Sequence, residues 1–135
     1  MSSRTTPCGI VEARVRLATA AAYLEVAELV LGESDKEGFS TVAAGLAVLA
    51  GIAASDAICC VRLKQLHRGN NHREAAELLE GATPSGKSLA TTLLRLLDIK
   101  DAAHYGVVTL APGKAADAIK WAGRLVDNAR TQVER

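Results

Sequence analysis

The sequence predicts an all-α protein, an up-and-down antiparallel bundle of four to five helices. Its composition favours helices, because alanine, leucine and long charged residues dominate while aromatic residues make up only 3%. Apolar residues also recur at spacings of three and four positions, the period of a helix that buries one face. Short polar loops separate these stretches, so consecutive helices are expected to run antiparallel.

Size and charge limit the classes of function. The chain has 135 residues, of which 49% are hydrophobic and 23% are charged. We expect residues 1–135 to form one domain, with residues 1–9 flexible. The formal net charge of +1 gives no strong overall attraction to nucleic acid or to an acidic membrane. A contact with RNA would therefore need a local basic patch.

The cysteines and the N-terminus indicate a reducing compartment. Cys8, Cys59 and Cys60 form an odd set without CxxC spacing. Neighbouring cysteines on a helix point in different directions, so Cys59 and Cys60 do not favour a structural disulfide. Residues 1–9 also lack the basic and then apolar pattern of a signal peptide. These features predict a cytoplasmic protein.

The second predicted helix is the longest, and it follows a first helix with regular apolar spacing. Residues 10–31 carry apolar side chains at helical spacing, and Gly32 follows as a residue that can adopt the left-handed conformation found at helix ends. Ser34 and Glu37 have the spacing of a capping box. The second helix is therefore expected to begin near them and to run to about residue 66.

The second helix is apolar enough to be compared with a membrane span. Residues 41–61 are nearly free of charge, but alanine and glycine fill most of this stretch and Asp56 lies within it. Gly45 and Gly51 each cost a helix about 1 kcal/mol relative to alanine, which a close neighbouring helix would explain. We therefore expect the buried central helix of a bundle and no membrane association.

Three further helices are predicted. Asn71 and Glu74 repeat the capping spacing and open a third helix that runs to residue 80. The fourth helix covers residues 87–104. A brief β-leaning connector at residues 107–111 leads to Pro112, which suits the first turn of a fifth helix that runs nearly to the end of the chain.

Residues 81–88 match the phosphate-loop pattern GxxxxGK(S/T) letter for letter. Backbone N–H groups and a lysine bind phosphates in such loops, but a β-strand must precede them. Here the preceding residues 72–80 have the pattern of an amphipathic helix. We therefore expect a turn in which Ser85 caps the next helix and Lys87 lies in solvent, without ATPase activity.

Polar side chains cluster at the end of the fourth predicted helix. Lys100 and His104 are four positions apart and are expected to share one helix face, with Asp101 and Tyr105 beside them. A lysine that binds phosphate and a histidine that moves a proton would suit metal-independent RNA cleavage. The alternative is structural, with His104 near the negative end of the helix dipole and Tyr105 packed over the joint.

The chain resembles the HEPN superfamily over residues 21–130. The resemblance rests on the alanine-rich second helix, the polar end of the fourth helix at residues 100–106 and the closing alanine-rich helix. It implies a four- or five-helix bundle, often dimeric, with polar sites that face each other across the dimer. Many members are RNases, toxins of toxin–antitoxin pairs or subunits of defence systems. Others are inactive partners of nucleotidyltransferases.

The family's catalytic signature is present only in part. It consists of an arginine, usually followed by a polar residue, and a histidine after four to six intervening positions. Asp101 and His104 match in kind, but Lys100 replaces the arginine and only three residues separate it from His104. Lysine also lacks the bidentate fork of arginine. The resemblance further implies an acidic residue on the second helix that pairs with the basic motif.

Asp56 is the candidate for that acidic residue. It lies among alanines, where an unpaired carboxylate would be costly. We expect it to contact Lys100, His104 or an arginine. The alternative is a position at a solvated edge of the second helix.

A second basic cluster lies between the second and third helices. His67, Arg68, His72 and Arg73 gather there, and with Arg95 of the fourth helix they are the candidate phosphate-binding residues for RNA or a nucleotide. Two charged helix ends that meet at a loop are the alternative explanation. No cysteine or carboxylate completes a ligand set, so no metal or other cofactor is predicted.

The sequence thus predicts a HEPN-like bundle that acts as a binding or assembly module in a toxin–antitoxin or defence context. Its expected partners are a second copy, RNA or a nucleotide, and a cognate protein. Binding is favoured over catalysis because a correctly spaced arginine is missing. Two alternatives remain open, a metal-independent RNase or toxin that uses His104 with Lys100, and an antitoxin-like regulatory partner of another enzyme.

Overall fold

A computed structural model describes residues 4–135, which form a helical bundle with one small β-ladder. The six helices of this part of the chain are α1 (Ile10–Leu31), α2 (Phe39–Leu63), α3 (His72–Glu80), α4 (Gly86–Asp98), α5 (Lys100–Tyr105) and α6 (Pro112–Val133). Two three-residue strands, β1 (Thr5–Pro7) and β2 (Gln65–His67), pair antiparallel with Thr6 opposite Leu66. The predicted all-α class is confirmed, and the ladder is a feature that the sequence did not predict.

Helix α2 is the centre of the bundle, with α1 and α6 packed along it and α4 and α5 also in contact. Most of its buried residues are alanine or glycine. A β-carbon at Gly51 would collide with Leu96 and lie 3.3 Å from Leu125, so a close neighbour accounts for this glycine. Helix α2 is long and apolar enough to cross a membrane, a criterion that buried core helices also meet. In this structure 72% of its most apolar 18-residue stretch is buried.

The junction between α1 and α2 differs from the prediction. Helix α1 ends at Leu31 as expected, but Gly32 has a right-handed φ of −60°. The left-handed residue is Gly38, with φ of 84°, directly before α2 begins. The predicted capping box at Ser34 and Glu37 is therefore wrong, because a series of turns continues through both residues before α2 starts.

The N-terminal segment is fastened to the end of α2. Lys64 has a left-handed φ of 61° and ends α2 earlier than predicted, which frees β2 to pair with β1. A disulfide joins Cys8 to Cys60, with their Cα atoms 5.3 Å apart. Residues 4–9, which were expected to be flexible, are thus held against the bundle, while residues 1–3 lie outside the described part of the chain.

The expectation that the cysteines form no structural disulfide is wrong. Cys60 bonds to a residue 52 positions away rather than to its neighbour, and only the fold brings that residue close. Cys59 remains a buried thiol. Because structural disulfides persist mainly in oxidising environments, the cysteines no longer support a cytoplasmic location, which stays a prediction.

The turn between α3 and α4 explains the phosphate-loop letters. Helix α3 occupies the place where a phosphate loop needs a strand, and Asn71 caps it as predicted by accepting a hydrogen bond from the Glu74 N–H at 3.1 Å. A β-carbon at Gly86 would collide with the Glu80 carbonyl, so glycine serves the close approach of two helix ends. Lys87 is exposed, as predicted.

The predicted cap of α4 is wrong in one detail. Ser85 occupies the N-cap position, but its side chain makes no capping hydrogen bond. The Thr83 hydroxyl instead accepts a hydrogen bond from the Ser85 N–H at 3.0 Å. The side chain that stabilises this turn is therefore that of Thr83 and not that of Ser85.

The predicted fourth helix is divided. Ile99 has φ of −99° and ψ of 0°, so α4 ends at Asp98 and the short α5 begins at Lys100. The β-leaning connector forms no strand, although it is tied to α2 because the Leu110 N–H donates to the Thr41 hydroxyl at 2.8 Å. Helix α6 begins at Pro112 as predicted.

Thiol titration tests the disulfide. Protein purified without reductant is expected to show no rapidly reacting thiol while folded, because Cys59 is 2% exposed. We expect one thiol after unfolding and three after reduction. Cys8→Ser should lower the free energy of unfolding by about 2–4 kcal/mol, since the bond closes a long loop. Cys59→Ala keeps the bond and is the control. Three thiols in unfolded, unreduced protein would contradict the disulfide.

Candidate functional site

A cavity of about 130 Å³ lies between α2, α3, α4, the start of α5 and the chain that follows β2. It is lined by Lys100 of the first predicted polar cluster and by His67 and His72 of the second. Its polar lining includes Ser55, Asp56, His67, Asn71, His72 and Lys100. Its apolar wall includes Ile52, Leu93 and Leu97. The cavity is therefore an apolar recess with several polar groups, the general character of a ligand site.

Local structure directs each polar side chain to the cavity. Cys59 lies about one turn after Ser55 and Asp56 on α2, and all three residues line the cavity. His72 is the first residue of α3, where the Asn71 cap fixes the start of the helix. The break at Ile99 begins a new helix at Lys100, the one α5 residue that lines the cavity.

Asp56 is paired with Arg16 of α1. The Arg16 Nη2 and Nε atoms donate to Asp56 Oδ2 at 2.9 and 3.1 Å. The Asp56 side chain is 17% exposed. The prediction that Asp56 contacts an arginine is confirmed, although the arginine comes from α1 and not from either basic cluster.

Burial shifts the pKa of two groups on α2, the Asp56 carboxyl and the Cys59 thiol. It raises the pKa of Asp56 above its usual value, and the charge and hydrogen bonds of Arg16 oppose that rise. Weaker opposing charges come from Arg68 and His67. Burial, assisted by the charge of Asp56, raises the pKa of the Cys59 thiol to about 12. Cys59 is therefore protonated at neutral pH and is a poor nucleophile.

His104 does not join the cavity. Its ring lies over Gly45, where an added β-carbon would be 3.3 Å from His104 Cε1. Gly45 precedes Asp56 by eleven residues, which corresponds to about 16 Å along α2. Lys100 and His104 both lie on α5, but only Lys100 lines the cavity, so a site that combines the two stays a prediction. Asp101 is exposed on α5 and does not line the cavity either.

The candidate phosphate-binding residues occupy different places. His67 and His72 line the cavity, and Arg68 lines an adjoining pocket that shares Asp56 and His67 with it. Arg73 lies in a separate groove beside Lys87. Arg95 places its guanidinium 6.0 Å from the centre of the Trp121 ring, a cation–π contact on the outside of the bundle. Arg73 and Arg95 are therefore not part of this site.

Sequence reasoning missed Arg16, Ser55 and Asn71 as parts of this region. Arg16 could have been found only by asking which cation neutralises a buried Asp56, because 40 residues separate the two. Asn71 was recognised for its capping role alone. His67 Nε2 is buried and has no hydrogen-bond partner within residues 4–135. Such an atom needs a water molecule or a ligand.

The chemistry of the site favours a small anion. Lys100 supplies a positive charge, and two imidazoles and the Asn71 amide supply further donors. Asp56 would repel an anion, but Arg16 compensates its charge at 2.9 Å. Residues 4–135 contain no group of three or more His, Cys, Asp or Glu side chains arranged to hold a metal ion.

No protein-family model matches the chain, and no curated protein matches it either. The HEPN resemblance thus rests on the residues of this sequence.

The pairing of Asp56 predicts a pH-dependent effect of Arg16→Gln. A raised carboxyl pKa means that folding is favoured by the protonated form, so stability falls as pH rises from the unfolded pKa through the folded one. Arg16→Gln removes the main opposing charge and raises that pKa further. We expect a loss of about 1–3 kcal/mol at pH 7 and a smaller loss at pH 4 in urea unfolding.

The double variant Arg16→Gln/Asp56→Asn is the matched control. It has no carboxylate to leave unpaired, so it should recover most of the stability at pH 7. An equal loss for Arg16→Gln at both pH values would contradict the importance of the ion pair.

Proposed function

We propose that this protein is a HEPN-like helical bundle that acts as a binding module and holds a phosphate group of RNA or of a nucleotide in its cavity. The observation that supports the proposal is the convergence of Lys100, His67 and His72 from three separate segments on one cavity. The one carboxylate that lines it is already paired with Arg16. The toxin–antitoxin or defence context rests on the resemblance alone.

The size of the cavity supports a phosphate group rather than a whole nucleotide. Its volume of about 130 Å³ is below the range of roughly 300–1,000 Å³ for pockets that enclose drug-sized ligands. The remainder of an RNA or a nucleotide would lie outside. Arg68 is exposed and lines the adjoining pocket, where it would contact a second phosphate.

Binding is favoured over cleavage by the position of His104. The RNase alternative needs a proton-transferring group beside the bound phosphate, and His104 lies against Gly45 instead. One observation supports cleavage as a second candidate, since His67 and His72 bring two imidazoles to the cavity of Lys100. Those residues, and not His104, would then act as acid and base.

Lys100→Ala tests the proposed binding site. A charged hydrogen bond contributes about 1.5–3 kcal/mol, so the variant should bind a labelled single-stranded RNA or ATP roughly ten- to a hundredfold more weakly. Fluorescence anisotropy at one fixed salt concentration measures the effect. Lys87→Ala changes an exposed lysine outside the cavity and should leave binding within about twofold of wild type.

Equal losses in Lys100→Ala and Lys87→Ala would contradict a specific site, as would wild-type protein that binds neither RNA nor ATP. Incubation of wild-type protein with RNA in the absence of divalent metal tests the enzymatic alternatives. Cleavage that is lost in His104→Ala would support the RNase in which His104 acts. Cleavage that is lost in His72→Ala but not in His104→Ala would support the two-imidazole candidate.

A further inference from the structure

Helix α1 is apolar on two opposite sides. Its inner side buries Ala13, Leu17, Ala20 and Ala27 against the bundle. Its outer side exposes a second stripe, which we call the outer stripe and which consists of Val11, Val15, Ala18, Ala22, Val26 and Leu29. Val11 and Leu29 are 64% and 68% exposed. A continuous apolar face of a helix is normally buried against a neighbour, but nothing in residues 4–135 covers the outer stripe.

The outer stripe is continuous along the helix. Its members follow one another at intervals of four, three, four, four and three residues, which keeps them on one face. At 1.5 Å per residue they extend over about 27 Å. A continuous stripe of this length is more than the single exposed apolar residues that most protein surfaces carry.

The stripe is symmetric about its middle. Val11 and Leu29 lie nine residues before and after position 20, and Ala18 and Ala22 lie two residues before and after it. Val15 and Val26 are symmetric about the same point to within one residue. Two copies of α1 that cross antiparallel there would place larger side chains opposite each other at both ends. Alanine would meet alanine in the centre, where the two backbones approach most closely.

Charges beside the stripe favour the same arrangement. Arg14 and Glu25 project from the same flank of the outer stripe and are both exposed. A two-fold axis perpendicular to the helices keeps that flank and exchanges the two helix ends. Arg14 of one copy would then lie beside Glu25 of the other, and the symmetry forms this pair twice. A parallel arrangement would separate them onto opposite flanks.

We propose that two copies of this chain form a dimer by packing their outer stripes together antiparallel. The interface needs no ligand in the cavity, and so it stands apart from the proposed binding function. Arg16, which pairs with the cavity residue Asp56 and lines the adjoining pocket, projects from the other side of α1. The two cavities would therefore not face each other, unlike the polar sites of the dimers that the HEPN resemblance implies.

Sedimentation of the full chain at about 1–200 µM tests the dimer, because one helix pair of this length suggests a small interface with micromolar affinity. Ala18→Glu places a carboxylate in the apolar centre and should weaken association at least about tenfold. Val108→Glu is the matched control, since Val108 is exposed outside the stripe, and it should leave association unchanged. Circular dichroism melting checks that both variants fold.

Charge reversal tests the antiparallel register. Arg14→Glu and Glu25→Arg should each weaken association about two- to tenfold, and the double variant should restore it. Monomers at every concentration, equal effects of Ala18→Glu and Val108→Glu, or no recovery in the double variant would overturn the proposal. If Ala18→Glu weakens the dimer but still binds RNA, the interface and the cavity are independent. Lys100→Ala should in turn lose RNA binding and still form the dimer.

Discussion

Close packing against α2 determines where every neighbouring helix lies. The larger side chains buried on α2 are Val48 and Ile58, and all of its other buried positions are alanine, glycine, serine or cysteine. Adjacent helices therefore approach its backbone, and leucines such as Leu96 and Leu125 fill the space that small residues leave. Because protein interiors are packed at crystal-like density, a larger side chain on α2 would displace a whole helix and not a single contact.

The candidate site is a consequence of the same packing. Helix α2 is buried along most of its length, so the turn that carries Ser55, Asp56 and Cys59 contacts a ligand through the cavity beside it or through the adjoining pocket that Asp56 also lines. A carboxylate in this position is costly, and Arg16 of α1 offsets the cost. Compensation of that charge leaves Lys100 and the imidazoles as the groups that determine which ligands are attracted.

Local signals predicted the elements that local physics decides. The cap at Asn71 and the proline at the start of α6 depend on residues within one helical turn, and both predictions are confirmed. The end of α2 at Lys64 and the Cys8–Cys60 bond depend on the N-terminal strand, and no sequence signal near residue 60 indicates that this strand packs there. The site shows the same division, since the need of Asp56 for an arginine was predictable but its pairing with Arg16 was not.

Hydrogen exchange of the α2 backbone amides tests the central position of this helix most directly. If α1, α4 and α6 cover α2 as described, the amides of residues 43–60 open only with global unfolding and are the slowest to exchange. The amides of α5 and of residues 107–109 should exchange orders of magnitude faster, because none of the α5 side chains is buried and residues 107–109 are exposed. Exchange in α2 as fast as in α5 would contradict a bundle built around it.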